Sequence, residues 1–142
     1  MKKTLKAALS LTLTLLFIFS LVACNKEEAV TGLWKDATYT EDTVLGEGAK
    51  TVTVEVKAEE KTVTFTIKTD KETVGAALIE HKLLDGEQDD YGLYVKKVNG
   101  ITADYDVDQS YWAFYIDGEY AMTGVDGTPL DESATYQLVY TK

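Results

Sequence analysis

One stretch of the sequence decides the fold that we predict for this chain: Tyr111-Trp112-Ala113-Phe114-Tyr115-Ile116-Asp117-Gly118-Glu119-Tyr120. Four of its first five residues are aromatic, and Asp117-Gly118 is a two-residue signal for a tight turn between antiparallel strands. We therefore predict a central β-hairpin here, and we expect it to be where the protein binds whatever it binds.

The turn also predicts which side chains share a face of the hairpin. A two-residue turn sets Tyr115 opposite Tyr120 and Ala113 opposite Met122. Because side chains alternate along a strand, one face should carry the core-forming residues Trp112, Phe114 and Ile116. The other face is then left with Tyr111, Tyr115, Tyr120 and Met122.

Two strands and one helix are predicted upstream of this hairpin. The segments 51–57 and 62–68 alternate strictly between apolar and polar residues, and the short segment 58–61 joins them into a hairpin. The segment 69–72 (Thr-Asp-Lys-Glu) has the spacing of a helix-capping box. Helical spacing follows and should end at Gly86, with the apolar positions Val74, Ala77, Leu78, His81 and Leu84.

Further strands are predicted between the helix and the chain end. After an acidic loop over 85–90, Leu93 and Val95 should point to the core, and the Asn99-Gly100 turn sets Val98 opposite Ile101. The same register would set Tyr94 opposite Tyr105. With a last strand over 135–140, the order indicates an α+β fold. We expect it to be β-grasp-like, a mostly antiparallel sheet of hairpins with one amphipathic helix packed on one face.

The faces left over by this pairing form a candidate ligand surface. Aromatic rings with polar tips beside a thioether make an adaptable apolar platform. Tyrosine also has a high strand propensity, so these residues could equally belong to the sheet without a ligand. The candidates are Tyr94, Tyr105, Tyr111, Tyr115, Tyr120 and Met122.

The first 49 residues are predicted to lie outside the domain. Three lysines precede an uncharged apolar run that ends in Leu21-Val22-Ala23-Cys24, which is typical of a bacterial lipoprotein signal. We predict a signal peptide over 1–23, lipid on Cys24, a tether over 24–49 that could be ordered from Trp34 onward, and the domain over 50–142. An uncleaved membrane anchor is the alternative for the apolar run. Either way we expect the protein at the cell membrane, facing outward.

Composition excludes several classes of partner and site. Without residues 1–23 the chain keeps 11 lysines, no arginine and 24 acidic residues, a net charge of −13. Nucleic acids and phosphate groups are bound by dense positive charge, so we exclude nucleic acid as a partner. Since Cys24 is the only cysteine, the remaining chain has no thiol for a disulfide, a metal site or catalysis.

No motif in the chain indicates catalysis. Asp104, Asp106 and Asp108 have the alternating oxygen ligands that begin a calcium loop, but Gln109 stands where that loop requires glycine, so the calcium candidate is weak and a solvated turn is the alternative. His81 is the sole histidine, and neither of the serines after Cys24 stands in a nucleophile motif. We therefore expect no enzyme and no cofactor.

The region from about residue 50 to 142 resembles a domain of bacterial surface lipoproteins, which is itself similar to the C-terminal domain of the transcobalamin and intrinsic factor family. The order of several motifs carries the resemblance, namely Thr73 to Leu78, Tyr91 to Val95, Val98-Asn99-Gly100, Tyr111 to Gly118 and Gly124-Val125-Asp126. In the cobalamin carriers this domain closes over the corrin against a helical domain, and the resemblance places Trp112 near the ligand. No such helical partner is predicted in this sequence, so we expect the chain to supply only half of that site.

Two functions are therefore expected. The first is a lipid-anchored extracytoplasmic module that captures a bulky, partly apolar ligand such as a corrinoid for a membrane transporter, using the tyrosine platform and Trp112. The second is a surface module that docks on another protein and has no small ligand. The alternation argument makes Trp112 a core residue, whereas the resemblance turns it toward the ligand, and the sequence leaves both open.

Overall fold

The structure is a computed structural model that describes residues 29–142. Cys24, the predicted signal peptide and the first part of the predicted tether lie outside the described residues. Nine strands are described, β1 Thr43–Leu45, β2 Lys50–Ala58, β3 Lys61–Thr69, β4 Leu84–Asp89, β5 Gly92–Val98, β6 Ile101–Thr102, β7 Tyr111–Ile116, β8 Glu119–Tyr120 and β9 Thr135–Thr141. Two short helices, α1 Val74–Glu80 and α2 Tyr105–Asp108, and two 3₁₀ turns, Gly32–Asp36 and Val125–Gly127, complete it.

The strands form two sheets. The larger has six strands in the order β1-β3-β2-β9-β7-β8, and the smaller has three in the order β4-β5-β6. The α+β prediction agrees with this β-rich chain with short helices, while the β-grasp-like arrangement stays a prediction. The larger sheet is mixed, because β9 runs parallel to β2 and β1 runs parallel to β3. Because only hairpins were predicted, these two parallel pairs were not expected.

The first predicted hairpin is confirmed. β2 and β3 pair antiparallel over their full lengths, from Lys50 opposite Thr69 to Ala58 opposite Lys61. Glu59 has φ 56°, the left-handed conformation that a tight turn requires. The alternating valines of β2 and the apolar residues Val63, Phe65 and Ile67 of β3 are all buried. One face of this hairpin is therefore the floor of the core.

Residues before Lys50 are packed against this core. Trp34 is 3% exposed, and its indole N–H donates to the carbonyl of Ala58 at 2.9 Å. Tyr39 meets Phe65 edge to face, with ring centroids 5.7 Å apart. The stretch from Trp34 to Tyr39, for which the sequence left order open, thus contributes apolar area to the fold.

The helix differs from its prediction at both ends. Its N-cap is Thr73, whose hydroxyl accepts from the Ala76 N–H at 3.2 Å, whereas Thr69 is the buried last residue of β3. The capping box predicted at 69–72 is therefore wrong. The helix ends at Glu80, and Gly86 lies inside β4. Val74, Ala77 and Leu78 are buried as predicted.

The predicted acidic loop over 85–90 is also wrong, because most of it is β4. This strand pairs with β5 from Leu84 opposite Val98 to Asp89 opposite Gly92, with an irregularity between Asp85 and Gly86. Its charged side chains are exposed, as a strand at the edge of a sheet allows. The long-range partner overrides the loop-like composition.

The Asn99-Gly100 turn has the predicted register, since Val98 pairs with Ile101. The pairing stops after Thr102, and Tyr105 begins α2 instead of facing Tyr94. The predicted Tyr94–Tyr105 pair is therefore wrong.

The hairpin at 111–120 has the predicted turn, but its position in the sheet differs from the prediction. Tyr115 pairs with Tyr120, and Ile116 with Glu119. β8 ends at Tyr120, so the predicted pair of Ala113 with Met122 does not form. The hairpin lies at one edge of the six-stranded sheet and not at its centre. Among residues 29–142, no helix is both long and apolar enough to cross a membrane.

Candidate functional site

A cavity of about 400 Å³ opens between β5 and the hairpin of β7 and β8. Its aromatic lining residues are Tyr94, Tyr111, Trp112, Phe114 and Tyr120, and its other lining residues are Leu93, Val95, Ala121, Met122, Thr123, Gly124, Val125 and Leu138. None of these carries a charge. Specific pockets for small molecules are typically concave and mostly apolar with a few polar groups, as this one is.

Trp112 is both a core residue and a lining residue of this cavity. It is 7% exposed and belongs to the buried cluster, while Phe114, two positions on, is 9% exposed and also lines the cavity. The Trp112 indole N–H donates to the Ile101 carbonyl at 3.2 Å, and its ring meets Tyr140 edge to face at 5.6 Å. The two interpretations of Trp112 are thus compatible, because the cavity lies at the border of the core.

The predicted tyrosine platform is divided between different surfaces. Tyr115 and Tyr120 pack edge to face at 5.6 Å, on the side of the sheet opposite Trp112. Tyr115 is not in the cavity lining, although Tyr120 and Tyr111 border it. Tyr105 is 54% exposed on α2 and lies outside the cavity. Five of the seven predicted residues, Tyr94, Tyr111, Trp112, Tyr120 and Met122, border one cavity.

Several lining residues were not predicted as site residues. Leu93, Val95 and Phe114 were assigned to the core by their alternation, and Leu138 lies in the last strand. The cavity takes in these apolar residues because it lies at the border of the core. For Leu93 and Val95, the sequence signal is the family motif from Tyr91 to Val95, since part of this motif lines the same cavity as Trp112.

A second cavity, of about 670 Å³, lies at the β2–β3 turn and is lined by Ala29, Val30, Thr31, Trp34, Glu59, Glu60 and Lys61. Three of these residues are charged, and the Lys61 ammonium lies 5.2 Å from the centre of the Trp34 ring. Although larger, this cavity offers a less suitable lining for a partly apolar ligand than the cavity beside Trp112 does.

Two of the three carboxylates of the weak calcium candidate, those of Asp104 and Asp108, accept hydrogen bonds within their own loop. Asp104 accepts from the Asp106 N–H at 3.1 Å and caps α2. Hydrogen bonds from the hydroxyl and the N–H of Ser110 hold the pKa of Asp108 below its ordinary value. Within residues 29–142, no three His, Cys, Asp or Glu side chains are grouped as metal ligands.

His81 lies at the C-terminal end of α1. Its Nε2 is buried, lacks a hydrogen-bond partner within the described part of the chain, and lies 3.7 Å from the Glu80 carboxylate. The histidine is not among the residues that line the cavity beside Trp112.

Comparisons with known proteins agree with the fold. Among solved structures, a protein from Ruminococcus gnavus presented as a candidate metal-binding protein is 32% identical, with a TM-score of 0.62; the alignment covers 66% of this chain and 97% of that one. Haptocorrin in complex with Cbi is 15% identical with a TM-score of 0.56, over 66% of this chain and 25% of haptocorrin. At that identity the likeness concerns the fold alone.

The chain thus spans about a quarter of haptocorrin. The predicted likeness to the transcobalamin family is confirmed at the level of the fold. No curated protein matches the sequence. A family model described as a domain of unknown function, DUF4430, matches residues 71–141. This match covers α1 and the strands that follow it, including every residue that lines the cavity beside Trp112, and the chain therefore belongs to the DUF4430 family.

Proposed function

We propose that this protein is a lipid-anchored extracytoplasmic binding module that captures a bulky, partly apolar ligand in the cavity between β5 and the β7–β8 hairpin. The observation that carries the proposal is the position of Trp112 and Phe114, whose mostly buried rings line an uncharged, open cavity. A fold needs its core covered, and an apolar wall left next to solvent is typical of a surface that binds.

A corrinoid is the first ligand to test. The support is a shared fold with haptocorrin, a structure of which contains Cbi, together with an apolar and aromatic cavity lining. At about 400 Å³ the cavity would take one part of so large a ligand and leave the rest in contact with solvent or with a partner. A transporter in the same membrane is the expected recipient, and the proposed lipid on Cys24 would keep the module beside it.

The charge of the chain suits this ligand class. With 24 acidic residues and no arginine, the protein repels anions and favours neutral or cationic molecules. Because no ionic side chain lines the cavity, an apolar ligand can enter without the free-energy cost of desolvating a charge. We therefore expect neutral or cationic corrinoids to bind better than anionic dyes of similar size.

The test is calorimetric titration of the purified protein with cobinamide and with cobalamin. Met122 lines the cavity and is 95% exposed, so Met122→Asp should leave the fold intact and place a charge at the cavity mouth. We expect it to weaken binding roughly tenfold or more, since a carboxylate would be desolvated by the ligand. Val107→Asp is the matched control, because Val107 is 80% exposed on α2 and outside the cavity.

If neither corrinoid shows measurable binding at about 100 μM, capture is rejected. Binding weaker than this corresponds to a binding free energy of under roughly 6 kcal/mol. Equal weakening by Met122→Asp and Val107→Asp would reject this cavity as the site.

A second candidate function is docking on another surface protein. The observation that favours it is the Tyr115–Tyr120 pair, which lies on the side of the sheet away from the core with Tyr120 61% exposed. Tyrosine is enriched in protein interfaces because it combines apolar area with a polar tip. Tyr115→Ala should then abolish capture of a partner in a pull-down while corrinoid titration of the same variant stays unchanged.

A further inference from the structure

Two separate segments form opposite walls of the cavity beside Trp112. One wall is the start of β5, at Leu93 to Val95, and the other is the segment Tyr120–Val125 that follows β8. The second wall has little sheet support of its own: β8 contains only two residues and ends at Tyr120, and one further hydrogen bond runs from the Ala121 N–H to the Phe114 carbonyl at 2.9 Å. Contacts outside the sheet therefore contribute to the distance between the walls.

The carboxylate of Asp126 lies between these walls. Its Oδ2 accepts a hydrogen bond from the Leu93 N–H at 3.1 Å. A Cβ placed on Gly92 would lie 2.9 Å from Oδ2, and one placed on Gly124 would lie 3.0 Å from Oδ1. The carboxylate thus fills a space bounded by Gly124 of the second wall and by Gly92, which directly precedes the first wall; Gly92 has φ +117°, a conformation that side chains rarely adopt.

The main chain around Asp126 is held by contacts with α1 and with Thr128. A Cβ placed on Gly75 of α1 would lie 3.0 Å from the Cα and N of Asp126, so the helix backbone packs directly on this turn. The Thr128 hydroxyl donates to the Gly124 carbonyl at 2.8 Å, and the Val74 N–H donates to the Thr128 carbonyl at 3.1 Å. The backbone of Asp126 is therefore held in place by its contacts with α1 and with Thr128, and its side chain contacts the start of β5.

We infer that Asp126 is the positioning residue of this site: its carboxylate ties the start of β5 to the Val125–Gly127 turn and so sets the width of the cavity before any ligand arrives. A cavity of set width binds at a smaller cost in lost freedom than one that must be ordered by the ligand. The inference about ligand affinity rests on the proposed function, whereas the inference about cavity width does not.

Three variants separate geometry from charge. Asp126→Ala removes the acceptor, and Asp126→Asn keeps an oxygen of the same reach while removing the charge. Asp126→Glu keeps the charge but adds a methylene where Gly92 and Gly124 leave no room. Asp131→Ala is the matched control, since the Asp131 carboxylate likewise accepts a backbone N–H, from Ser133 at 2.8 Å, but is not part of either wall.

The readout that needs no ligand is amide hydrogen exchange followed by NMR. We expect exchange at Leu93 and over 121–125 to rise roughly tenfold or more in Asp126→Ala, to rise in Asp126→Glu, and to stay near wild type in Asp126→Asn and Asp131→Ala. The indole N–H signal of Trp34, which lies outside this cavity, reports whether the fold is kept. Wild-type exchange at both walls in Asp126→Ala and Asp126→Glu would overturn the inference, and if Asp126→Ala does not fold, Asp126→Glu decides.

Corrinoid titration of the same proteins gives the second readout. If the wild type binds, Asp126→Ala should bind roughly tenfold more weakly and Asp126→Asn near normally, and equal affinity in both would overturn the role in binding. If the wild type binds no corrinoid, the proposed ligand is wrong, and the exchange result alone decides whether Asp126 sets the width of the cavity.

Discussion

The indole N–H of Trp112 donates to the main-chain carbonyl of Ile101 at 3.2 Å, and this hydrogen bond joins the six-stranded sheet to the last strand of the three-stranded sheet. The two residues are 11 positions apart, with α2 between them. Ile101 is 1% exposed, so its carbonyl has little access to water when the donor is lost. The contact therefore contributes both to the stability of the fold and to the shape of the cavity.

Trp112→Phe should lower the free energy of unfolding by about 1–3 kcal/mol, because it removes a hydrogen bond to a buried carbonyl and leaves a gap beside Tyr140. Urea unfolding followed by circular dichroism measures this. Trp34→Phe is the control, since the Trp34 indole also donates to a carbonyl, that of Ala58, but lies outside the cavity beside Trp112. Both variants should lose stability, and only Trp112→Phe should lose affinity for a ligand of this cavity.

Asn99 should prove more important than its turn signal suggests. It is 0% exposed, its amide oxygen accepts from the Tyr39 N–H at 2.9 Å, and its amide N–H donates to the Tyr39 carbonyl at 2.8 Å. Its φ is 50°, which glycine adopts freely and alanine does not. Asn99→Gly should cost about 2–4 kcal/mol for the lost hydrogen bonds.

Asn99→Ala should cost roughly 1 kcal/mol more than Asn99→Gly, because alanine adds backbone strain in the left-handed conformation. Thermal and urea unfolding of both variants measure the difference. Equal stability of the two would show that strain at this position contributes nothing.

Thr73 should contribute the N-cap of α1. Its hydroxyl accepts from the Ala76 N–H at 3.2 Å, so Thr73→Ala should lower stability by about 1 kcal/mol. Thr73→Ser keeps the oxygen and should stay near wild type. A loss as large in Thr73→Ser as in Thr73→Ala would mean that the methyl group, and not the cap, is what matters there.

The acid titration of Asp108 should depend on Ser110. Hydrogen bonds from the Ser110 hydroxyl, then from its N–H, hold the pKa of Asp108 below its ordinary value. A lowered folded-state pKa adds stability that is present above the unfolded-state pKa and is lost as pH falls through the folded-state pKa. Ser110→Ala should raise the pKa of Asp108 and shrink this contribution, as carboxylate NMR titration would measure.

Asp131 provides the reciprocal control, because hydrogen bonds from the hydroxyl and the N–H of Ser133 likewise lower its pKa. Ser133→Ala should raise the pKa of Asp131 and leave that of Asp108 unchanged, and Ser110→Ala should do the reverse. If each change moved both groups, the Ser110 and Ser133 hydroxyls would not be the local cause of the two lowered pKa values.

Much of the local structure follows from the sequence alone. The alternation in β2 and β3 predicts their pairing and their buried faces, and the glycine turns predict that Val98 pairs with Ile101 and Tyr115 with Tyr120. These features depend on neighbours within a few residues, through the period of two and the conformations that a tight turn permits. The assignment of Trp112 and Phe114 to the buried face has the same origin.

Only the tertiary structure decided the rest. The acidic segment after Leu84 is a strand because β5 lies beside it, and the hairpin at 111–120 is at an edge because β9 enters between β2 and β7. Alternation could not decide whether Trp112 belongs to the core or to a cavity, since a side chain at the border of the core belongs to both. Such relations depend on contacts between distant parts of the chain, for which a local pattern contains no signal.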